Sequence, residues 1–540
     1  MKNLNLRKSL VALSTSALIA ALAVAIPSTA SAAGPTCSEV AAAVKYSARN
    51  TQLCSGVDQF GAKYEIAMPK KFNGTLIVYS HGIRYNVNLP PLPVIAPRGS
   101  VIDDSPAIAP SAEVAAALLK QGFALAGSGV QTQGWNASEQ ALANVILIDT
   151  AYAKFPKIDR VAAWGNSLGG LSTQLMAEQN PGLVEAVAPL CLADSALAEI
   201  TMAGDFLWGL KTLFDPSIKA VGYSAGDAGY REMLGDLGKV LGVLGSLQAA
   251  IAANPTAPAW PATSTAPATL KGIPVRSAVL LLGLISGVST QSKTYDASSG
   301  PKGPLETTFG LAISPALAVL ENGAQAAVLA VIANYDLELR GGGIVFDNST
   351  TNYSARLGDD SDVYAAALSG KTATAGMLGY LSALNPAAPR VKADAAAVAR
   401  IKAIGEIQGT ITVPTITFTA TADHITPPGA TQHLINQYNA AIASGNSQKG
   451  LLVNIWNKPS DEYTKFDSAG RPITPAVDPS GTGHCNFTTN QYLMVAKLLT
   501  DSAKSGKAPS AKTVQLQLEK TRTYLWIQIT RLHCLSIVNN

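Results

Sequence analysis

Charge is scarce in this chain: 14% of its 540 residues are Asp, Glu, Lys or Arg, and no long run of one sign occurs. That excludes an acidic tail, a basic arm and a coiled coil, which need dense or patterned charge. Lys plus Arg number 40 against 36 Asp plus Glu, a net +4, and three of the positives (Lys2, Arg7, Lys8) lie in the first eight residues. The remainder is therefore close to neutral, which argues against nucleic acid as a partner. Cysteine is also rare, at five residues, too few for a disulfide-built scaffold. The 46 Gly and 31 Pro follow no fixed period, so collagen, solenoid and propeller readings fail. With 47% hydrophobic positions the chain can bury a large core and is not disordered.

The N-terminus reads as an export signal over residues 1–32. A basic start is followed by the apolar stretch Leu10 to Ile26, a break at Pro27, and the small-residue cleavage site Ala30-Ser31-Ala32. The mature chain is expected to begin at Ala33, secreted and without a stable membrane anchor. The later apolar runs, Val279 to Val288 and Ala316 to Ile332, are too short or interrupted by Glu321, Asn322 and Gln325, and are expected to be buried helices. In an exported chain, five cysteines permit two intramolecular bridges and one leftover thiol. Cys37 and Cys54 are a local pair, and a Cys191 to Cys485 bridge would pin a histidine loop to the sheet. Four cysteines still allow three connectivities. Cys534, in a tail richer in charge and aromatic residues, would be the odd one.

From Gly74 short β-like runs alternate with longer helical ones. Thr75 to Ser80, Phe123 to Gly127, Val161 to Trp164 and Val184 to Leu190 read as strands; Ser111 to Gln121, Ser138 to Phe155 and Leu171 to Glu178 read as helices. Such alternation predicts a mostly parallel sheet with helices on both faces. The rhythm stops near Asp194 and resumes with a strand at Val413 to Thr419, a helix at Thr431 to Ala443, a strand at Leu451 to Trp456 and a helix at Thr489 to Ala503. The intervening stretch is rich in Ala, Leu and Gly, with a Pro/Thr/Ala segment from Asn254 to Pro274 that reads as a linker. The expected organisation is a first core part over 33–195, a mostly helical insertion over 196–409, a second core part over 410–510, and a tail over 511–540.

Gly165-Asn166-Ser167-Leu168-Gly169 matches G-x-S-x-G, the tight strand-to-helix turn that lifts a serine hydroxyl clear of a sheet. In a chain with 46 Gly the bare pattern is weak, and a second copy occurs at Gly222-Tyr223-Ser224-Ala225-Gly226. Context selects Ser167, which follows the strand-like Val161 to Trp164 and precedes a helix. A serine needs a base to take its proton and an acid to orient that base. Of five histidines, His484 lies in the glycine-flanked Gly481-Thr482-Gly483-His484-Cys485 loop after the last strand, whereas His424 and His433 read as surface residues and His533 belongs to the tail. Asp423, at the end of a strand-like run, is the candidate acid; Asp478 reads as a turn former. For an oxyanion, the backbone N–H groups of Leu168 and Ile83 are the expected donors, with Gly82 competing, because His81-Gly82-Ile83 ends an early strand.

These motifs, in the order Ser167, Asp423, His484, resemble the α/β-hydrolase superfamily, in particular secreted bacterial serine hydrolases of esterase or lipase type with a large lid. The resemblance covers roughly Gly74 to Ala193 and Val413 to Ala503. It implies an eight-stranded, mostly parallel sheet, a Ser-His-Asp triad and a covalent acyl-enzyme, with no metal or organic cofactor. The reading that follows is a carboxylic ester hydrolase acting on a small or polymeric ester with an apolar portion. An exopeptidase would need lid carboxylates to hold a free amine, and Asp359, Asp360, Asp362 and Glu338 are the candidates. A non-catalytic binding protein on the same fold is the remaining alternative.

Overall fold

A computed structural model describes residues 34–92, 96–254, 256–298, 300, 313–382, 388–468, 471–521 and 525–528. The export signal expected over 1–32 and the thiol of Cys534 lie outside these residues.

Three strands, β1 (Thr36–Ser38), β2 (Thr51–Val57) and β3 (Lys63–Pro69), pair antiparallel at one edge of the sheet. Next to them stand six mutually parallel strands: β4 (Thr75–Ser80), β5 (Ala124–Ser128), β6 (Arg160–Asn166), β7 (Ala186–Leu190), β8 (Thr415–Ala420) and β9 (Leu452–Asn457). A small hairpin, β10 (Lys465–Phe466) and β11 (Pro472–Ile473), is separate from the sheet, and β12 (Leu525–Gln528) closes the far edge antiparallel to β9. The order is β1-β2-β3-β5-β4-β6-β7-β8-β9-β12, ten strands where the resemblance implies eight. The additions are at the edges. β2 and β3 carry Ser55, Gly56 and Glu65 among their apolar residues, so they lack the continuous apolar runs of the centre, and β12 comes from the tail.

Strands β4, β7 and β8 are buried along their whole length, as parallel strands covered on both faces must be. Alternate residues point to opposite faces. Leu76 and Val78 pack with Val145 and Ile148 of helix Ala137–Lys154 and Leu171 of helix Leu168–Gln179. Ile77 and Tyr79 pack on the other side with Leu118 of helix Ala112–Lys120 and Val495 and Leu498 of helix Thr489–Ser505.

Between β7 and β8 the chain is helical, the main pieces being Ala196–Leu213, Gly226–Ala253, Val275–Ser286 and Ile313–Gly341. They bury a core of their own around Phe206, Leu237, Leu281 and Val331. Residues 256–274 are irregular apart from the short helix Ala268–Lys271. Gly226–Ala253 and Ile313–Gly341 are long and apolar enough to cross a bilayer, but 67% of the most apolar window of Ile313–Gly341 is buried inside the fold. Val279 and Ile285 of the neighbouring apolar run are buried as well.

Candidate active site

Ser167 stands between the last residue of β6 and the first of helix Leu168–Gln179, with φ 58° and ψ −125°. A non-glycine residue held there is strained, and the neighbours show what holds it. A Cβ on Gly165 would lie 2.3 Å from the Gly169 carbonyl oxygen, and one on Gly169 would lie 2.2 Å from that of Ser80. Both glycines are required by close backbone approach, and the turn between them leaves the Ser167 hydroxyl free to meet a base.

The residue that meets the Ser167 hydroxyl is His484. Its Nε2 is 2.9 Å from Ser167 Oγ, and its Nδ1 is 3.1 and 3.0 Å from the two Asp423 oxygens. A carboxylate only accepts, so Nδ1 carries the proton and Nε2 accepts from the serine hydroxyl. Asp423 follows β8, is fully buried, and accepts the backbone N–H groups of Ile425, Thr426 and Cys485 and the Thr426 hydroxyl. Burial alone would raise its pKa, but His484 and these donors hold it below the usual carboxylate range. Ser167, Asp423 and His484, three residues far apart in the chain, are therefore brought into one hydrogen-bonded series.

Two ties fix the His484 loop. Cys191, directly after β7, is bonded to Cys485, directly after His484; the second bridge joins Cys37 and Cys54 across β1 and β2. Both expected pairings are present, and two disulfides are consistent with an extracellular protein. The other tie is Asn166 Nδ2, which donates to Tyr492 Oη at 2.5 Å, while the tyrosine hydroxyl donates to the Cys485 carbonyl at 3.3 Å. The elbow motif requires no side chain at the position before serine, so sequence reasoning had no signal for this link.

Leu168 and Ile83 both border the cavity at Ser167, and neither backbone N–H has a protein acceptor among the described residues. Gly82 lies close as well: a Cβ there would be 3.3 Å from Ser167 Cβ. His81 is a buried turn residue whose Nδ1 bonds the Gly82 carbonyl at 2.7 Å, and burial pushes its pKa down to about 4.

The cavity is bounded on one side by Ile83, Trp135 and Ser167 at the end of the sheet and on the other by apolar side chains of helices Ala196–Leu213 and Ile313–Gly341. Asp359, Asp360, Asp362 and Glu338 do not border it. Glu338 accepts the N–H groups of Gly222 and Tyr223, and Asp362 pairs with Lys371 at the surface. Two histidines expected at the surface differ from each other. His433 is exposed and paired with Asp194 at 2.6 Å, but His424 is buried, borders the cavity and contacts Gln325 Oε1 through Nε2 at 2.8 Å. The reason is local: Asp423 must turn inward, and the chain carries His424 under helix Ile313–Gly341 with it. Ser224 is exposed and bonds Glu232 Oε1 at 3.0 Å, with no strand before it. Among the described residues, the cluster that could hold a metal is Asp423, His484 and Cys485, whose sulfur is already in the bridge to Cys191.

No protein-family model and no curated protein matches the chain. Among solved structures, it is similar to feruloyl esterase B from Aspergillus oryzae at 12% identity over 85% of this chain and 81% of that one, with a TM-score of 0.37. An esterase from Aspergillus oryzae matches at 10% identity over 85% and 80%, TM-score 0.34. An acylaminoacyl peptidase from Pyrococcus horikoshii matches at 12% identity over 28% and 24%, TM-score 0.21. These likenesses are distant, and the fold is read from the molecule's own topology. With six parallel strands in the order β5-β4-β6-β7-β8-β9, Ser167 on a strained turn after β6, and Asp423 and His484 following β8 and β9, this chain has an α/β-hydrolase fold.

Proposed function

We propose that this protein is a secreted serine carboxylic ester hydrolase. The observation that carries the reading is the hydrogen-bonded series Ser167, His484, Asp423 at the edge of an apolar cavity. Ser167 Oγ attacks the ester carbonyl carbon while His484 Nε2 takes the hydroxyl proton. Asp423 keeps the proton on Nδ1 and stabilises the imidazolium. The tetrahedral oxyanion is received by the N–H groups of Leu168 and Ile83, with Gly82 as the competing donor. His484 returns its proton to the departing alcohol, leaving an acyl-enzyme. Water, deprotonated by the same histidine, then attacks the acyl carbon; the bond from that carbon to Ser167 Oγ breaks, His484 gives the proton to Oγ, and the acid is released. The helical segment over 196–409 acts as a lid that supplies the apolar wall.

Initial rates of the mature protein on nitrophenyl esters of increasing acyl length, beside aminoacyl nitroanilides, test this. Fast ester turnover with little anilide cleavage is expected, and the length trend sizes the cavity. Preference for anilides bearing a free amine would make the protein an exopeptidase, and turnover of neither would make it a binding protein.

A further inference from the structure

The cavity wall beside Ser167 is mostly aliphatic, with Ile200, Leu329, Ala330 and Leu337 among its residues, and it contains one carboxyl group, that of Glu199. Glu199 lies in the first turn of helix Ala196–Leu213. Its Oε1 accepts the Asp194 backbone N–H at 2.9 Å; Oε2 has no hydrogen-bond partner among the described residues. In a mostly apolar pocket a few placed polar groups fix a ligand's orientation, and a polar group left unpartnered there costs binding.

We propose that Glu199 is a specificity residue whose carboxyl hydrogen-bonds an oxygen substituent, a hydroxyl or a carbonyl, carried on the apolar part of the ester. This rests on the esterase reading above. The protonation state tells which kind of partner is needed. Burial pushes the Glu199 carboxyl up to about 8; the Asp194 N–H favours its charged form, and the charges of Asp194 and Asp423 oppose it. Asp194 is itself paired with His433 and feels Glu406. His424, bordering the same cavity, is held down at about 4 by burial and is neutral. At neutral pH Glu199 is therefore a carboxylic acid with one oxygen already accepting and an O–H to donate, and an oxygen of the substrate can accept it.

Two panels test the assignment: nitrophenyl hexanoates carrying a hydroxyl at successive carbons, and acetate esters of alcohols carrying it likewise, each against its unsubstituted parent. In the wild type at neutral pH, one hydroxylated ester is expected to exceed its parent about tenfold in kcat/KM. Glu199→Leu should reduce that ratio about tenfold, while Glu199→Gln, which still donates, should keep most of it. For the matching keto ester, whose carbonyl can only accept, the wild-type preference over the parent should fall as pH rises through about 8, when the donor proton is lost, and the Glu199→Gln preference should not. The proposal is overturned if no hydroxylated ester exceeds its parent by more than about twofold, or if Glu199→Leu lowers both esters equally. Turnover of the unsubstituted parent esters by the wild type separates these results from failure of the esterase reading, in which neither the parents nor the hydroxylated esters are turned over.

Discussion

Along the sheet a Cβ on Gly165 or Gly169 would run into backbone oxygen at 2.3 or 2.2 Å, whereas along helix Gly226–Ala253 a Cβ on Gly235, Gly238, Gly242 or Gly245 would meet nothing within 4 Å. Glycine is obligatory at the first pair and incidental at those four helix positions, though not at Gly229 of the same helix, where a Cβ would lie 1.6 Å from the Ser224 carbonyl oxygen. The two G-x-S-x-G copies follow this division. Around Ser167 the glycines are forced by the approach of β4 to helix Leu168–Gln179, and the serine faces a histidine. Around Ser224 the flanking Gly222 and Gly226 have room for a Cβ, the nearest atom being Ile344 Cδ1 at 3.6 Å, and it is their φ of 73° and 65° rather than crowding that favours glycine; the serine faces Glu232, which cannot relay a proton in an Asp-oriented series. A spacing motif carries chemical meaning where the backbone is crowded enough to require it.

The sharpest way to break this contrast is to remove each serine. Ser167→Ala is expected to lower kcat/KM by roughly 10⁴-fold or more, and Ser224→Ala to leave it within about twofold, both read on a nitrophenyl ester. Asp423→Asn should lower kcat by about 10³ to 10⁴-fold with little change in the circular dichroism spectrum, because an amide cannot hold the proton on His484 Nδ1 as a carboxylate does. The disulfides divide in the same manner. Replacing Cys191 and Cys485 by Ser should cost roughly 2–5 kcal/mol in denaturant unfolding and also lower kcat, since the bridge holds the His484 loop. Replacing Cys37 and Cys54 should lower stability alone, because that bridge joins β1 to β2 at the sheet edge. The smallest pair concerns the glycines themselves. Gly169→Ala should destabilise by about 1–3 kcal/mol through the clash with Ser80, while Gly238→Ala should stabilise by up to about 1 kcal/mol by lowering the freedom of the unfolded chain.

The same division explains what could be read in the sequence. Central strands are buried on both faces, so their apolar runs are continuous; Thr75 to Ser80 matches β4 residue for residue. Edge strands β2 and β3 mix polar and apolar residues and gave no such run, and β12 depends on a partner, β9, that no local pattern reveals. The elbow helix begins at Leu168 rather than Leu171 because its first turn is two glycines, poor helix formers held in place by tertiary contact. The meeting of Ser167, Asp423 and His484 was legible because chain order and loop position coincide with where the fold brings them together. Glu199 and His424 were not, since their burial depends on helices Ala196–Leu213 and Ile313–Gly341 meeting over the sheet, which no spacing in the sequence encodes.

The most direct test is to treat the folded protein with a fluorophosphonate, locate the adduct by peptide mass spectrometry, and follow ester turnover in the same sample. The account predicts one adduct, on Ser167, accumulating in step with the loss of turnover. An adduct on Ser224, or full inhibition with Ser167 unmodified, would contradict it.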